Sequence, residues 1–403
     1  MISIQMSESG RDKKLSQPID FKGAYSQALA SGFADLEGLS SSRSELKVRA
    51  SQVRGQFDYT LILGIGGSYW TPKSFHSYFG ESSSHKIYFI DSPNPRSFRS
   101  TLNKIADFKR CHFLFVSKSG GTLETLSLLS ALLSLESEFG IQVAQQATVI
   151  CSQGDNYLQV WAREKKVPTL EIPTEVGGRY SAFSPVGVFP LELLGLSSED
   201  FFKGAFEAQQ RRDEIERLVT FNLNSFESQK WITQMWSYSE SLLPVVQWWQ
   251  QIWSESLAKK DGSRVSSPMV CCGPRDQHSN FQQLLEGEYD KSVYVLQDLS
   301  ADFDDPVLGE VLSAHLDMPL KSFKLSDVLL AELEGFCGAL SEKEIPYVRL
   351  GGDFSDLEVW GEFFMMWQMT VATMGHCLKM NPYDQPGVEL GKTLARQYLK
   401  SMK

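Results

Sequence analysis

FVSKSGGTLETLSLLS, residues Phe115–Ser130, joins two kinds of structure at its middle. Its start finishes an apolar run, CHFLFVS, that reads as a buried strand, and its end carries leucines at helical spacing through Leu123, Leu126, Leu129 and Leu133. Between them stand Ser117, Lys118, Ser119, Gly120, Gly121 and Thr122, where a tight apolar connection would have sufficed. A strand that enters a helix through glycines and hydroxyls sets N–H and O–H donors at the carboxyl end of a sheet. There α/β proteins bind ligands, and the helix N-terminus favours an anion. The Walker spacing is absent, so a single phosphomonoester on a small molecule fits better than a nucleoside triphosphate. The plainer alternative is that Thr122 caps the helix and the glycines turn the chain.

The same alternation extends to both sides. Short apolar runs at YTLILGIGG (Tyr59–Gly67), KIYFID (Lys86–Asp91), ATVICS (Ala147–Ser152) and TLEIP (Thr169–Pro173) are separated by helix-length segments. Near-continuous apolar strands so spaced predict an α/β fold with a mostly parallel sheet covered on both faces. LGIGGSYW, Leu63–Trp70, repeats the strand-to-glycine arrangement and offers Ser68. A charged helical stretch, GAFEAQQRRDEIERLVTF, then reads as a bridge between domains. A second alternation begins at the helix LLPVVQWWQQIWSESLA and continues through SPMVCCG, SVYVLQD and PYVRLGG to helices at the C-terminus. Three units follow: an N-terminal helical extension over 1–52 with a loose polar start, one α/β domain over 53–215, and a second over 216–403 that ends in a helix.

Composition bounds the function. The 403 residues are 42% apolar and 22% charged, enough for large cores, and the net charge of -10 offers no footprint for nucleic acid or anionic membranes. Any anionic ligand must therefore be held locally. The cysteines Cys111, Cys151, Cys271, Cys272, Cys337 and Cys377 show no CxxC spacing, which predicts buried thiols, a reducing compartment and no structural metal. No apolar run approaches a spanning helix and the N-terminus lacks a signal-like core, so the expected location is cytoplasmic.

One more loop, EVGGRYSAFSPVG, sets Arg179 between a Gly-Gly turn and a hydroxyl run. A surface salt bridge is the bland role; a guanidinium held near a substrate is the sharper one. Together with NPYDQPGVELGK (Asn381–Lys392), LGIGGS, SKSGGTLET, SESLAKKDG and DQHSNFQQLLEG, in that family's order from about residue 60 to the C-terminus, this segment gives a close match. The chain resembles the glucose-6-phosphate isomerase (phosphoglucose isomerase) family of SIS-type sugar isomerases.

The resemblance implies two SIS-type α/β/α domains and interconversion of glucose 6-phosphate and fructose 6-phosphate through a cis-enediol, a step of glycolysis and gluconeogenesis, with no cofactor. Such chemistry needs one base that reaches two adjacent carbons. The resemblance assigns that base to Glu255 in WSES, which on its own reads as a solvated helical carboxylate. It assigns ring opening to His278 in DQHS, supplied from the neighbouring subunit of a homodimer, while His76, His85, His112, His315 and His376 read as structural. Lys392 assists at the ring, its alternative being an i-3 pair with Glu389, and Gln385 stands seven residues earlier, close to two helical turns. By the same resemblance Arg179 is expected to steady the enediolate, Ser117, Lys118, Ser119 and Thr122 to hold the phosphate with Ser68 nearby, and Gly178 and Gln385 to bind the substrate. A related isomerase with broader sugar choice and a non-catalytic sugar-phosphate sensor are the competing readings.

Overall fold

The computed structural model describes residues 1–10, 15–16, 18–259, 264–300, 304–309 and 320–402. His315 and the Lys260–Gly262 end of SESLAKKDG lie outside them. The described strands are β1 (Ser3–Met6), β2 (Tyr59–Leu63), β3 (Lys86–Ile90), β4 (Cys111–Val116), β5 (Ala147–Cys151), β6 (Thr169–Glu171), β7 (Ile232–Ser237), β8 (Ser267–Cys272), β9 (Lys291–Asp298) and β10 (Tyr347–Gly352). They form two five-stranded sheets.

The first sheet has the order β3-β2-β4-β5-β6 and is parallel throughout. Successive residues of a strand face opposite ways. Thus Leu61, Leu63, Phe113 and Phe115 enter one core while Ile62, Leu114 and Val116 enter another. Burial on both faces is why these strands read as unbroken apolar runs. The helix after the hydroxyl loop, Leu123–Ser134, buries Thr125, Leu128, Leu129 and Leu132. That face differs from the one the leucine spacing suggested, because leucines occupy so many positions that spacing alone does not choose.

The second sheet has the order β1-β10-β9-β7-β8, with β1 antiparallel to β10 and the other pairs parallel. Two of its strands were not expected. The loose polar start of the chain is edge strand β1, whose Ser3 lies opposite Gly351 and Met6 opposite Val348. The second alternation begins one element earlier than predicted, at β7, which lies between β8 and β9. Its polar residues disguise it, yet they are buried and paired: Thr233 Oγ1 lies 2.6 Å from Ser266 Oγ and 3.2 Å from Ser292 Oγ, and Gln234 Oε1 accepts from Trp236 Nε1 at 2.8 Å.

The charged bridge is two helices, Ser198–Gln210 and Arg212–Glu227. The second half also contributes the tryptophan-rich helix Leu243–Leu257 and the helix Leu357–Cys377, which is buried from Val359 to Gly375. That helix lies in a core that draws on Phe33, Ile62 and Leu114 as well as Trp249, Tyr294 and Leu350, so the two sheets share one apolar interior. Five of the six cysteines are buried and Cys377 is half-buried; all six thiols are free. Among the described residues no helix is long and apolar enough to cross a membrane.

Candidate active site

The loop after β2 and the turn after β6 meet the C-terminal half of the tryptophan-rich helix, through Gln251 beside Gly66 and through Glu255 and Ser256 on Arg179, and the loop after β4 is tied to the segment after β6 by Lys118. The loop after β2 leads into the helix Gly67–Phe79, and Gly66 at its N-cap has φ 63°. This conformation suits glycine, because a Cβ costs an L-residue about 1–2 kcal/mol there. Gly67 allows a second close approach. A Cβ on it would lie 2.2 Å from the Gly178 carbonyl oxygen, so the loop carrying Arg179 rests directly on the loop carrying Ser68.

Arg179 lies in the 3-10 turn Gly178–Phe183 with its side chain 2% exposed. A buried guanidinium must have its donors satisfied. Nε donates to Ser256 Oγ at 2.7 Å, and Nη2 donates to the carbonyls of Pro382 at 2.7 Å and Asp384 at 3.0 Å. Nη1 makes longer contacts, to Glu255 Oε2 at 3.3 Å and Gln385 Oε1 at 3.4 Å. Three short bonds anchor the group, and the two long ones face the carboxylate and the amide. Tyr180 OH donates to Ser256 Oγ at 3.1 Å, and burial raises its pKa, so the hydroxyl stays protonated. Glu255 is 27% exposed and also accepts from Gln251 Nε2 at 3.0 Å. The salt bridge from a deeply buried arginine to a part-exposed glutamate leaves the carboxylate accessible from one side.

The hydroxyl loop closes on itself. Ser117 Oγ lies 2.7 Å from Thr122 Oγ1 and Ser119 Oγ lies 3.5 Å from it, while Ser119 Oγ accepts from Gly121 N at 3.3 Å. Thr122 is the N-cap residue of the helix Leu123–Ser134 but makes no side-chain capping bond. Its hydroxyl is turned toward the other two, so the plain capping role is not the one it plays. Gly120 has φ +58°, and a Cβ there would lie 1.7 Å from Asn156 Oδ1. Lys118 Nζ donates to Thr174 O at 3.0 Å. Burial lowers its pKa, Glu175 opposes that, and the charge of Arg179 lowers it further, which places the ammonium in the field of the arginine.

Arg179, Glu255 and Gln385 are therefore joined by direct bonds, and Gly178 and Ser68 lie in the two loops that touch. His278 and Lys392 are not brought to this cluster within the chain. His278 is exposed in the turn Arg275–His278 after the edge strand β8. Lys392 Nζ lies 2.7 Å from Glu389 Oε1, the i-3 pair that sequence offered as its alternative, and both groups are exposed. Nor do Gln385 and Lys392 share two turns of one helix. Gln385 has φ -155° and precedes a 3-10 turn at Pro386–Val388, and the α-helix starts only at Glu389.

Sequence reading missed Gln251, Ser256, Tyr180 and Lys259. Gln251 was the accessible one, since it stands four residues before Glu255 on the same helix face. Its Oε1 is buried and has no partner among the described residues, which leaves an acceptor beside the carboxylate. Of the remaining histidines, His85 and His112 bond to Thr60, His112 also to Thr148, and His376 to Tyr383, all structural contacts. His76 stacks edge-on against Phe89. No group of three or more His, Cys, Asp or Glu placed to hold a metal ion occurs among the described residues.

No family model matches the chain. A glucose-6-phosphate isomerase of Thermus thermophilus is 33% identical over 352 residues, covering 85% of this chain and 83% of that one. A hypothetical protein of the same species superposes with a TM-score of 0.85 at 27% identity over 94% of each chain. A glucose-6-phosphate isomerase from Chlamydia trachomatis, 22% identical, gives a TM-score of 0.80 over 98% of this chain and 81% of its own, a likeness of fold. By the extent and level of the identity to the Thermus isomerase, this chain belongs to the glucose-6-phosphate isomerase family.

Proposed function

We propose that the protein interconverts D-glucose 6-phosphate and D-fructose 6-phosphate through a cis-enediol(ate). The observation that carries the reading is the contact of the buried Arg179 with Glu255 Oε2, 3.3 Å apart. Aldose–ketose isomerisation moves one proton between adjacent carbons and gathers negative charge on the oxygens between them. A half-buried carboxylate can take and return that proton. A guanidinium fixed on its far side can stabilise the charge without reorganising, and its two long Nη1 bonds are the ones a substrate oxygen would exchange.

In this reading the phosphate sits on Ser117, Lys118, Ser119 and Thr122 with Ser68 and Gly178 nearby, and Gln385 and Gln251 contact the sugar. His278 opens the ring from the neighbouring subunit of a homodimer, and Lys392 assists after leaving Glu389. The exposed position of His278 suits delivery to a partner. The C-terminal helix Glu389–Ser401 reaches the hydroxyl loop of its own chain, Arg396 Nη2 donating to the Gly121 carbonyl oxygen at 3.2 Å, and exposes Leu390, Leu394 and Tyr398 as an apolar face that a second subunit would cover. The proposal includes metal independence, since arginine and proton relay supply the polarisation, and a cytoplasmic location.

The test is formation of fructose 6-phosphate from glucose 6-phosphate by purified protein in EDTA. Turnover that survives chelation supports the reading, and a folded protein without turnover refutes it.

A further inference from the structure

The last carbonyls of a helix lack intrahelical partners, and a lysine near the C-terminus can fold back to bind them. Lys259, two residues beyond the end of the tryptophan-rich helix, does so with an unusual set of acceptors. Its Nζ lies 3.3 Å from the Glu255 carbonyl oxygen, 2.5 Å from the Asp384 carbonyl oxygen and 2.8 Å from Asp384 Oδ1. An ammonium has three donors, so all are in use, and the side chain is only 13% exposed. The other Asp384 oxygen accepts from Asn381 Nδ2 at 3.1 Å, and Asn381 Oδ1 accepts from Tyr383 N at 3.0 Å. Residues 381–384 are thus tied to one another and, through one ammonium, to the backbone of Glu255.

The same segment supports Arg179. Nη2 rests on the carbonyls of Pro382 and Asp384, and Nη1 faces Gln385. Two cations therefore share the Asp384 carbonyl, which the neighbouring carboxylate permits by offsetting the charge of Lys259. We propose that Lys259 is a positioning residue for the isomerisation: it fixes the spacing between the carboxylate of Glu255 and the guanidinium of Arg179 by holding the backbone of one and the support of the other. This inference rests on the isomerase reading above. Without the ammonium, Asp384 loses its tie to the Glu255 backbone, so the Nη2 support of Arg179 can shift relative to Glu255 even though Tyr383 stays packed on Phe33 and Tyr180.

Negative charge on the substrate oxygens develops only on the way to the enediolate, so loosened spacing costs the transition state more than the bound sugar. The variant Lys259→Met keeps the stem and removes the donors. The expected result is a fall in kcat of about 10- to 100-fold with KM changed less than about 3-fold. Affinity for a phosphorylated hydroxamate, a planar enediolate mimic, should fall in parallel with kcat. Asp384→Ala should give a smaller loss in the same direction, and the double variant should lose no more than Lys259→Met alone, because the two act through one contact.

A folded Lys259→Met whose kcat and hydroxamate affinity stay within about 2-fold of wild type overturns the proposal, as do losses that multiply in the double variant. Should Lys259→Met fail to fold, Asp384→Ala alone decides by the same split between kcat and KM. Wild-type protein that cannot form fructose 6-phosphate would refute the isomerase reading, whereas active wild type with an unimpaired Lys259→Met refutes only the positioning role.

Discussion

A methyl group at position 67 would lie 2.2 Å from the Gly178 carbonyl oxygen, whereas one at position 178 would meet nothing within 4 Å. Two glycines in touching loops therefore do different things. Gly67 lets the loops approach, so Gly67→Ala must push the Arg179 turn outward; we expect a loss of about 1–3 kcal/mol in unfolding free energy and a lowered kcat. Gly178 opens on space, so Gly178→Ala should leave thermal stability unchanged and raise KM by intruding on the sugar. Denaturation curves and kinetics of the two variants check this, and equal loss of stability in both would refute it. For Glu255 the expectation is chemical. Glu255→Gln keeps an oxygen for Arg179 but has no basic lone pair to take a carbon-bound proton, so kcat should fall about 10²- to 10⁴-fold with sugar-phosphate binding retained. Direct binding measured beside turnover separates the two effects, and an active Gln variant would mean that another group is the base.

Elements were legible to the extent that their burial matched their periodicity. β2, β4 and β5 read correctly because both faces are apolar, and the glycine–hydroxyl loops were visible because their composition contradicts a tight connection. β7 was not visible, since Thr233, Gln234 and Ser237 look like loop residues until β8 and β9 pair with the strand on both sides and bury them. β1 likewise becomes a strand only when β10 arrives, more than 340 positions away in sequence. In the site, Glu255 and Arg179 could be named, but the lysine, serine and tyrosine that hold them depend on distances no spacing encodes. Buried polar pairs in strands also predict a pH response. His112 Nε2 lies 2.9 Å from Thr148 Oγ1 and Nδ1 lies 3.3 Å from Thr60 Oγ1, with His85 Nε2 2.7 Å from that same hydroxyl. Burial, aided by the nearby charges of Arg49 and His85, pushes His112 down to about 3, against 6.5 for the free group. The folded pKa lies below the unfolded one, so the stability is fully present above pH 6.5 and drains away as pH falls toward 3. At pH 5 the loss is about 2 kcal/mol from His112 alone. Unfolding free energy measured from pH 8 to 5 should decline, and His112→Gln, which cannot protonate in that range, should make the decline shallower by about that amount, the rest coming from His76 and His85, whose pKa values burial holds at about 4; an unchanged slope would count against it.

At the scale of the whole molecule, the chain alone does not assemble the proposed relay. His278 and the apolar face of the terminal helix are both exposed, while Glu255 and Arg179 are joined inside one chain. A dimer that lends His278 across its interface makes a sharp prediction about mixtures. In a closed two-fold pair each site takes its glutamate from one subunit and its histidine from the other. Glu255→Gln and His278→Ala homodimers each hold two defective sites. In a mixed dimer one site receives both defects, but the second receives Glu255 from one subunit and His278 from the other, both intact. Random exchange at equal amounts makes half the dimers mixed, so the pool should recover about a quarter of wild-type activity, well above the average of the two parents. If His278 served the site of its own chain instead, every site in the mixture would carry one defect and the pool would show only the parental average. Subunit exchange by dilution and reassembly, followed by the fructose 6-phosphate assay, distinguishes the two arrangements without any change at the interface itself.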